Sequence, residues 1–347
     1  MTYERKYKMK ILITGGTGFI GSYLVRCLAK TNHDLVCLAR KSSDVSVLTE
    51  VGVRVVIGDL LDKASLIAGM QGCDWVINLA SNFVFWVPDK SVYREVNIQG
   101  TKNIMESSLE VGVSKIVHVS TVAVYGNATW PITEESVLGD YCPSQYARTK
   151  REGDQIAWRM YREKGLPLVM VYPSSVIGAN DPKAAGRYLR NIALQRMPGQ
   201  VAVNAQFPWV YVEDVCEALV KALEKEGNIG EKYFVSGCNL TFGEINQLIA
   251  DISGARLPWL KMPNSVATFS AKLLTWIADL IKKPPLLDLS VDQIALMKQG
   301  YEADGSKAAR ELGLTYTPIR VAMEKALGSI IAEKQWQLAR DSTKSTI

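Results

Sequence analysis

At 347 residues the chain can bury a large core, and it reads as one large domain or two intimately joined ones. Its 48% hydrophobic and 22% charged residues exclude wholesale disorder. Forty Lys and Arg against 35 Asp and Glu leave a net charge of +5, spread without a long basic block, which gives nucleic-acid binding no footing.

The charged opening MTYERKYKMK runs into a glycine loop instead of a long apolar stretch with a cleavage site, so no signal peptide is expected and a cytoplasmic location is the default. KILIT at 10 to 14 is a short apolar run ending at TGGTGFIG, and helical periodicity follows from Tyr23 to Ala29. LVCLA at 35 to 39, VRVVIGD at 53 to 59, WVINLA at 75 to 80, KIVHVST at 115 to 121 and LVMVYP at 168 to 173 repeat the pattern. Each strand candidate is followed by a helical segment, the alternation that builds a doubly wound parallel sheet of the Rossmann type. Beyond Pro173 the rhythm breaks, and WVYVED at 209 to 214 reads as a return to the first unit. The expected division is therefore a dinucleotide-binding domain from 9–173 plus 209–237, an α/β unit, with an interleaved substrate-binding cap from 174–208 plus 238–330. A polar tail, 331–347, is expected to be loosely held.

Six cysteines show no CxxC and no regular spacing, which fits free thiols in a reducing compartment. With only His33 and His118 and no Cys/His cluster, neither a metal site nor a Ser-His-Asp triad has much to be built from.

The glycine loop lies between a strand and a helix, where backbone N–H groups and the helix dipole can receive a pyrophosphate. Gly18 allows close approach of the ligand and Gly21 close packing of the helix, while a purely structural turn is the alternative. At the end of the second strand, where a carboxylate would grip the ribose of NAD, stand Ala39, Arg40 and Lys41. Arg40 suits a 2′-phosphate, so NADP is expected over NAD; solvated loop charge is the other reading. Asp59 is placed to meet the adenine amino group or to cap a helix. Tyr146 and Lys150, four apart in PSQYARTKREG, share one helix face.

TGGTGFIG, Asp59-Leu60, Asn78-Leu79-Ala80, VNIQGT around Asn97, VSTVAVYG at 119 to 126, Tyr146-x-x-x-Lys150 and YPSSVIG at 172 to 178 resemble, in order, the extended short-chain dehydrogenases/reductases. The branch it looks most similar to is that of dihydroflavonol reductase-like and 3β-hydroxysteroid dehydrogenase-like proteins. The resemblance implies a catalytic set of Thr121, Tyr146 and Lys150, with Asn97 holding a relay water. It implies cofactor contacts from Gly15, Thr17, Gly18, Phe19, Ile20, Gly21, Leu60, Leu79, Ala80 and Ser81, with Pro173 and Val176 flanking the nicotinamide. It also implies a homodimer.

The chemistry accounts for these residue types: a carbonyl receiving hydride develops alkoxide charge that a tyrosine can protonate, and a cation must favour the tyrosinate in reverse. For substrate, nucleotide-sugar members of the family usually carry an Arg five residues before the Val of VxD, where this chain has Phe207. The insertion SNFVFWVPD at 81 to 89 puts Phe83, Phe85 and Trp86 beside the cleft, with Ser174 after the sixth strand. These residues suit an apolar small molecule or pack the cap onto the sheet. A nucleotide-sugar epimerase or dehydratase, and a non-catalytic NADP sensor, stay as alternatives. In 265 to 283, Thr268, Lys272, Thr275, Asp279 and Lys282 form a polar stripe opposite a wide apolar face that either packs in the cap or lies peripherally on a membrane.

Overall fold

A computed structural model describes residues 8 to 344, with the side chains of 334 to 344 left aside. The tail expected to be loosely held falls mostly on those side chains, and 345 to 347 lie outside the described residues. The chain runs β1 (Lys10–Thr14), α1 (Phe19–Leu28), β2 (Asp34–Ala39), α2 (Ser46–Glu50), β3 (Arg54–Ile57), α3 (Lys63–Met70), β4 (Trp75–Asn78) and α4 (Ser91–Arg94). A π-helical segment, Glu95–Gly100, leads into α5 (Thr101–Val111), then β5 (Lys115–Val119), α6 (Gln145–Lys164), β6 (Leu168–Pro173) and β7 (Ser175–Ile177). The remainder is α7 (Ala184–Ala193), β8 (Gln206–Tyr211), α8 (Val212–Glu224), β9 (Lys232–Val235), β10 (Cys238–Thr241), α9 (Phe242–Ser253), α10 (Asn264–Ile281), α11 (Val291–Gln299), α12 (Ser306–Leu312) and α13 (Ile319–Lys344).

The expected Rossmann sheet is present. Seven parallel strands lie in the order β3-β2-β1-β4-β5-β6-β9. Helices cover both faces, so the inner strands are buried on both sides, and this is why β1, β5 and β6 read as continuous apolar runs without alternation. Strand order reverses between β1 and β4, which opens a crevice at their C-terminal ends. WVYVED itself enters a second sheet, β10-β8-β7, and it is α8 against α1 and then β9 beside β6 that rejoin the main layer.

Local chemistry sets the helix that carries the Tyr-Lys pair. Ser144 is its N-cap, accepting the Ala147 N–H at 3.1 Å, and Gly165 in a left-handed conformation ends it. Among the described residues no helix is long and apolar enough to cross a membrane.

Candidate active site

β1 delivers the chain into the glycine turn at the crevice. Gly15 has φ +73°, and a Cβ there would stand 2.8 Å from the Ala80 nitrogen at the end of the neighbouring β4. A Cβ on Gly21 would meet the Gly15 carbonyl oxygen at 2.1 Å. Only glycine permits this contact between turn and helix. α1 then starts after Gly18 with no side-chain cap and no acidic residue in its first turn. Its N–H groups are left for an anion, as a dinucleotide pyrophosphate requires, and the turn fits that group. Gly15, Gly18, Phe19, Ile20, Gly21, Leu79 and Ser81 line one end of the main cavity; Thr17 is exposed beside it.

Further along the same sheet edge stand the residues expected at the adenosine end. Arg40 and Lys41 are exposed just past β2, and neither is paired with a carboxylate among the described residues. Lys183, ahead of α7 on the cavity wall, is lowered from its ordinary pKa by burial, with the positive charges of Arg187 and Arg40 adding to the effect. Asp59 accepts the Leu61 N–H at 2.9 Å, and the cap of α3 is Asp62. Leu60 is buried, its carbonyl bonded by Asn103. None of Arg40, Lys41, Asp59 and Leu60 lines the main cavity.

Thr121 and Tyr146 both line the cavity, as do Pro173, Ser174 and Val176. Thr121 accepts the Ala123 N–H through Oγ1 at 3.3 Å, which leaves its own O–H free to donate. Tyr146 is buried under Phe83, whose ring centroid lies 4.9 Å away. Burial pushes its phenol well above the ordinary tyrosine range, with the Asp154 carboxylate and Tyr301 adding to the rise. One turn on, Lys150 is buried with Nζ donating to the Val119 carbonyl at 2.9 Å; burial lowers its pKa and Asp154 opposes that.

Behind this pair runs a buried polar ladder. Thr14 Oγ1 donates to Asn78 Oδ1 at 2.5 Å, and Asn78 Nδ2 faces His118 Nδ1 at 2.8 Å. Since the Asn78 amide donates there, the His118 proton belongs on Nε2, which lies 3.5 Å from Lys150 Nζ and 3.6 Å from Asp154 Oδ1. Burial and the Lys150 charge press His118 down to about 4, so it is neutral near pH 7. Ser120 Oγ donates to Asp154 Oδ2 at 2.5 Å. A Ser, a His and an Asp thus do meet, but the serine is bonded to the carboxylate and not to the imidazole, which is no nucleophilic triad.

Asn97 and Trp86 also stand off the cavity wall. Asn97 is buried in the π-helical segment, and its carboxamide accepts the Asn82 N–H at 2.8 Å and donates to Thr149 at 3.0 Å. It pins the 81–82 loop from behind and does not line the cavity. Trp86 turns away as well, because its indole N–H donates to Asp279 of α10 at 2.9 Å. Much of the rest of the cavity is aromatic and aliphatic, with Phe83, Phe85, Phe207, Trp209, Phe242, Leu296, Met297 and Tyr301, while Asp181, Lys183 and Gln293 add polar groups to its lining. Ser174 Oγ and Trp209 Nε1 on this wall are buried and have no partner among the described residues.

A model of the NAD dependent epimerase/dehydratase family matches residues 11–236. This chain belongs to that family. It is an NAD(P)-dependent enzyme of the extended short-chain dehydrogenase/reductase kind. It is 29% identical over 325 residues to sterol demethylase protein B of Methylococcus capsulatus, covering 92% of this chain and 97% of the relative. It is 28% identical over 330 residues to a putative dihydroflavonol 4-reductase of Synechocystis, covering 91% and 92%. The crystal structure of gox2253 superposes with a TM-score of 0.80 at 31% identity, over 92% of this chain and 97% of that one. A UDP-glucuronic acid 4-epimerase from Bacillus cereus shares the fold, with a TM-score of 0.73 at 22% identity over 93% and 99%.

For this epimerase/dehydratase-family enzyme, the sequence reading gave no role to Asn78, His118, Ser120, Asp154 and Lys183. Asp154 carried a usable signal: it continues the Tyr146, Lys150 spacing by four more residues on the same helix face.

Proposed function

We propose that the enzyme is an NADP-dependent oxidoreductase that interconverts a ketone and a secondary alcohol on a hydrophobic substrate of steroid, isoprenoid or flavonoid type. The observation that carries this is the wall facing Thr121 and Tyr146. Phe207 stands there, its ring 4.9 Å from Tyr301 and 5.1 Å from Phe242, where nucleotide-sugar relatives have a guanidinium. An aromatic box of this kind stabilises a flat apolar skeleton by area and desolvates a diphosphate without compensation. The names of two relatives, a dihydroflavonol reductase and 3β-hydroxysteroid-dehydrogenase/decarboxylase isoform 1 of Arabidopsis thaliana at 25% identity, agree with it.

When bound, the nicotinamide supplies or accepts the hydride. Thr121 donates its hydroxyl to the carbonyl oxygen, and Tyr146 delivers the proton to the same atom. With its pKa raised by burial, the Tyr146 phenol stays protonated and so is present as the acid that reduction needs; in oxidation the buried Lys150 ammonium must hold the tyrosinate. Ser174 and Trp209 offer hydrogen bonds to a second oxygen of the substrate. Arg40 and Lys41, free of carboxylates at the end of β2, would read a 2′-phosphate, with Asp59 at the adenine.

Thermal shift tests the reading. NADPH should raise the melting temperature more than NADH, and an apolar ketone should raise it further. Stabilisation by NAD and a UDP-sugar instead would establish the nucleotide-sugar alternative, which family membership supports. A dimer through helices on one sheet face belongs to the same proposal, and sedimentation velocity checks it.

A further inference from the structure

Helix α10 faces its own protein with the side expected to meet water. Val266, Phe269, Leu273, Trp276 and Leu280 fall on one stripe at helical spacing, and in the structure that stripe points outward, with Phe269 70% and Trp276 64% exposed. The inward side carries Ala267, Ala271 and Ala278, all buried, together with Thr268, Thr275 and Asp279. Thr275 accepts the Val291 N–H at 3.0 Å, Thr268 accepts from Lys298 at 2.7 Å, and Asp279 accepts from Trp86 and Lys90. Thr268, Thr275 and Asp279 of the polar stripe are thus satisfied inside, Lys272 and Lys282 reach solvent, and among the described residues the large apolar side chains are left about half or more exposed. Trp259, 91% exposed, and Leu286 flank this helix in sequence and are exposed as well. A helical row of exposed apolar side chains of this kind marks a docking face.

Charge decides what docks. Residues 256 to 286 hold Arg256, Lys261, Lys272, Lys282 and Lys283 against the single acid Asp279, which is already held by Trp86 and Lys90. Two copies joined through this face by a two-fold axis would set cations against cations. An anionic layer with an apolar interior matches both features, and exposed tryptophans suit its boundary. We propose that α10 and Trp259 lie in the headgroup layer of a membrane bearing anionic lipid, with the helix in the plane of the surface. This goes beyond the reading of the active site.

The helix itself packs against an element of the cavity wall. α11, which packs against α10, puts Gln293, Leu296 and Met297 on the cavity wall, and Phe85, one residue before Trp86, is on the same wall. A membrane-dissolved substrate would therefore reach the cavity from the docked side.

The test needs no cofactor or substrate. Full-length protein is sedimented with phosphatidylcholine vesicles, with and without about one-third phosphatidylglycerol. Binding to the anionic vesicles, weakened by salt, is expected. Reversing Lys282→Glu with Lys283→Glu should lower partitioning about 30-fold or more, at roughly 1 kcal/mol per cation. Phe269→Ser with Trp276→Ser should abolish it; all four residues are solvent-facing, and an unchanged circular-dichroism melt verifies the fold. The lysine reversal serves alone if the serine variant melts early. No binding of the wild type to anionic vesicles overturns the proposal, as does a wild-type dimer, dissociated by the serine variant, in a protein that ignores vesicles.

Discussion

Gly21→Ala is the sharpest probe of the glycine turn. The added Cβ would lie 2.1 Å from the Gly15 carbonyl oxygen, 2.7 Å from Gly16 Cα and 2.9 Å from the Gly15 carbonyl carbon, all backbone atoms. Contact carbons do not come below about 3 Å, so α1 and the turn must separate by roughly 1 Å. Overpacking of this size costs about 1–3 kcal/mol of stability. At roughly 2 cal/mol/K per residue over 347 residues, that lowers Tm by only about 1–4 °C. The cofactor should suffer far more, because the N–H groups of the α1 start move away from the pyrophosphate. Losing two such charge-assisted bonds, at about 1.5–3 kcal/mol each, weakens binding on the order of 10²–10⁴-fold. Fluorescence titration with NADPH measures Kd, and a thermal melt measures the rest. A Kd within threefold of wild type alongside a lowered Tm would refute the assignment of this turn to the cofactor.

Tyr146→Phe should cut turnover about 10²–10⁴-fold with NADPH affinity unchanged, measured by steady-state kinetics and titration. Because burial holds the Tyr146 phenol above its ordinary value, the acid form persists through pH 6–9 and the reductive rate should stay nearly flat there, whereas oxidation, which needs tyrosinate, should climb with pH. Asp154→Asn keeps an acceptor for Ser120 but removes the charge that resists tyrosinate formation, so the oxidative pH profile should move to lower pH; a merely structural role would lower Tm and leave the profile in place. Arg40→Ser should weaken NADPH about 10-fold or more and spare NADH, by isothermal titration.

Much of the sheet and half of the site could be read from residue order. Strands covered on both faces are continuous apolar runs, and a strand, a glycine turn and a helix are contiguous in sequence, as are Tyr146 and Lys150. The polar ladder was hidden for the opposite reason. Thr14, Asn78 and His118 are separated by 64 and 40 residues and meet only because β1, β4 and β5 pair in one register. For α10 the periodicity located two stripes without saying which side the protein would cover, since that depends on the polar groups α11 and Trp86 present to it. Trp86 itself looked like a cleft residue because its neighbours Phe83 and Phe85 are on the cavity wall; strand-like alternation does not hold in an irregular loop.

The ladder behind Lys150 has a consequence for how the chain reaches its native state. Thr14 stands opposite Asn78, and Asn78 opposite His118, each one strand over. Shift β4 by a single residue and Thr14 would face Ile77, leaving buried hydroxyl, amide and imidazole groups without partners at about 1–3 kcal/mol each. Apolar side chains elsewhere in these strands are interchangeable enough to tolerate the slip, but these three are not. The ladder beside the lysine therefore acts as an alignment mark for the sheet, and a chain that folds out of register arrives without a working centre.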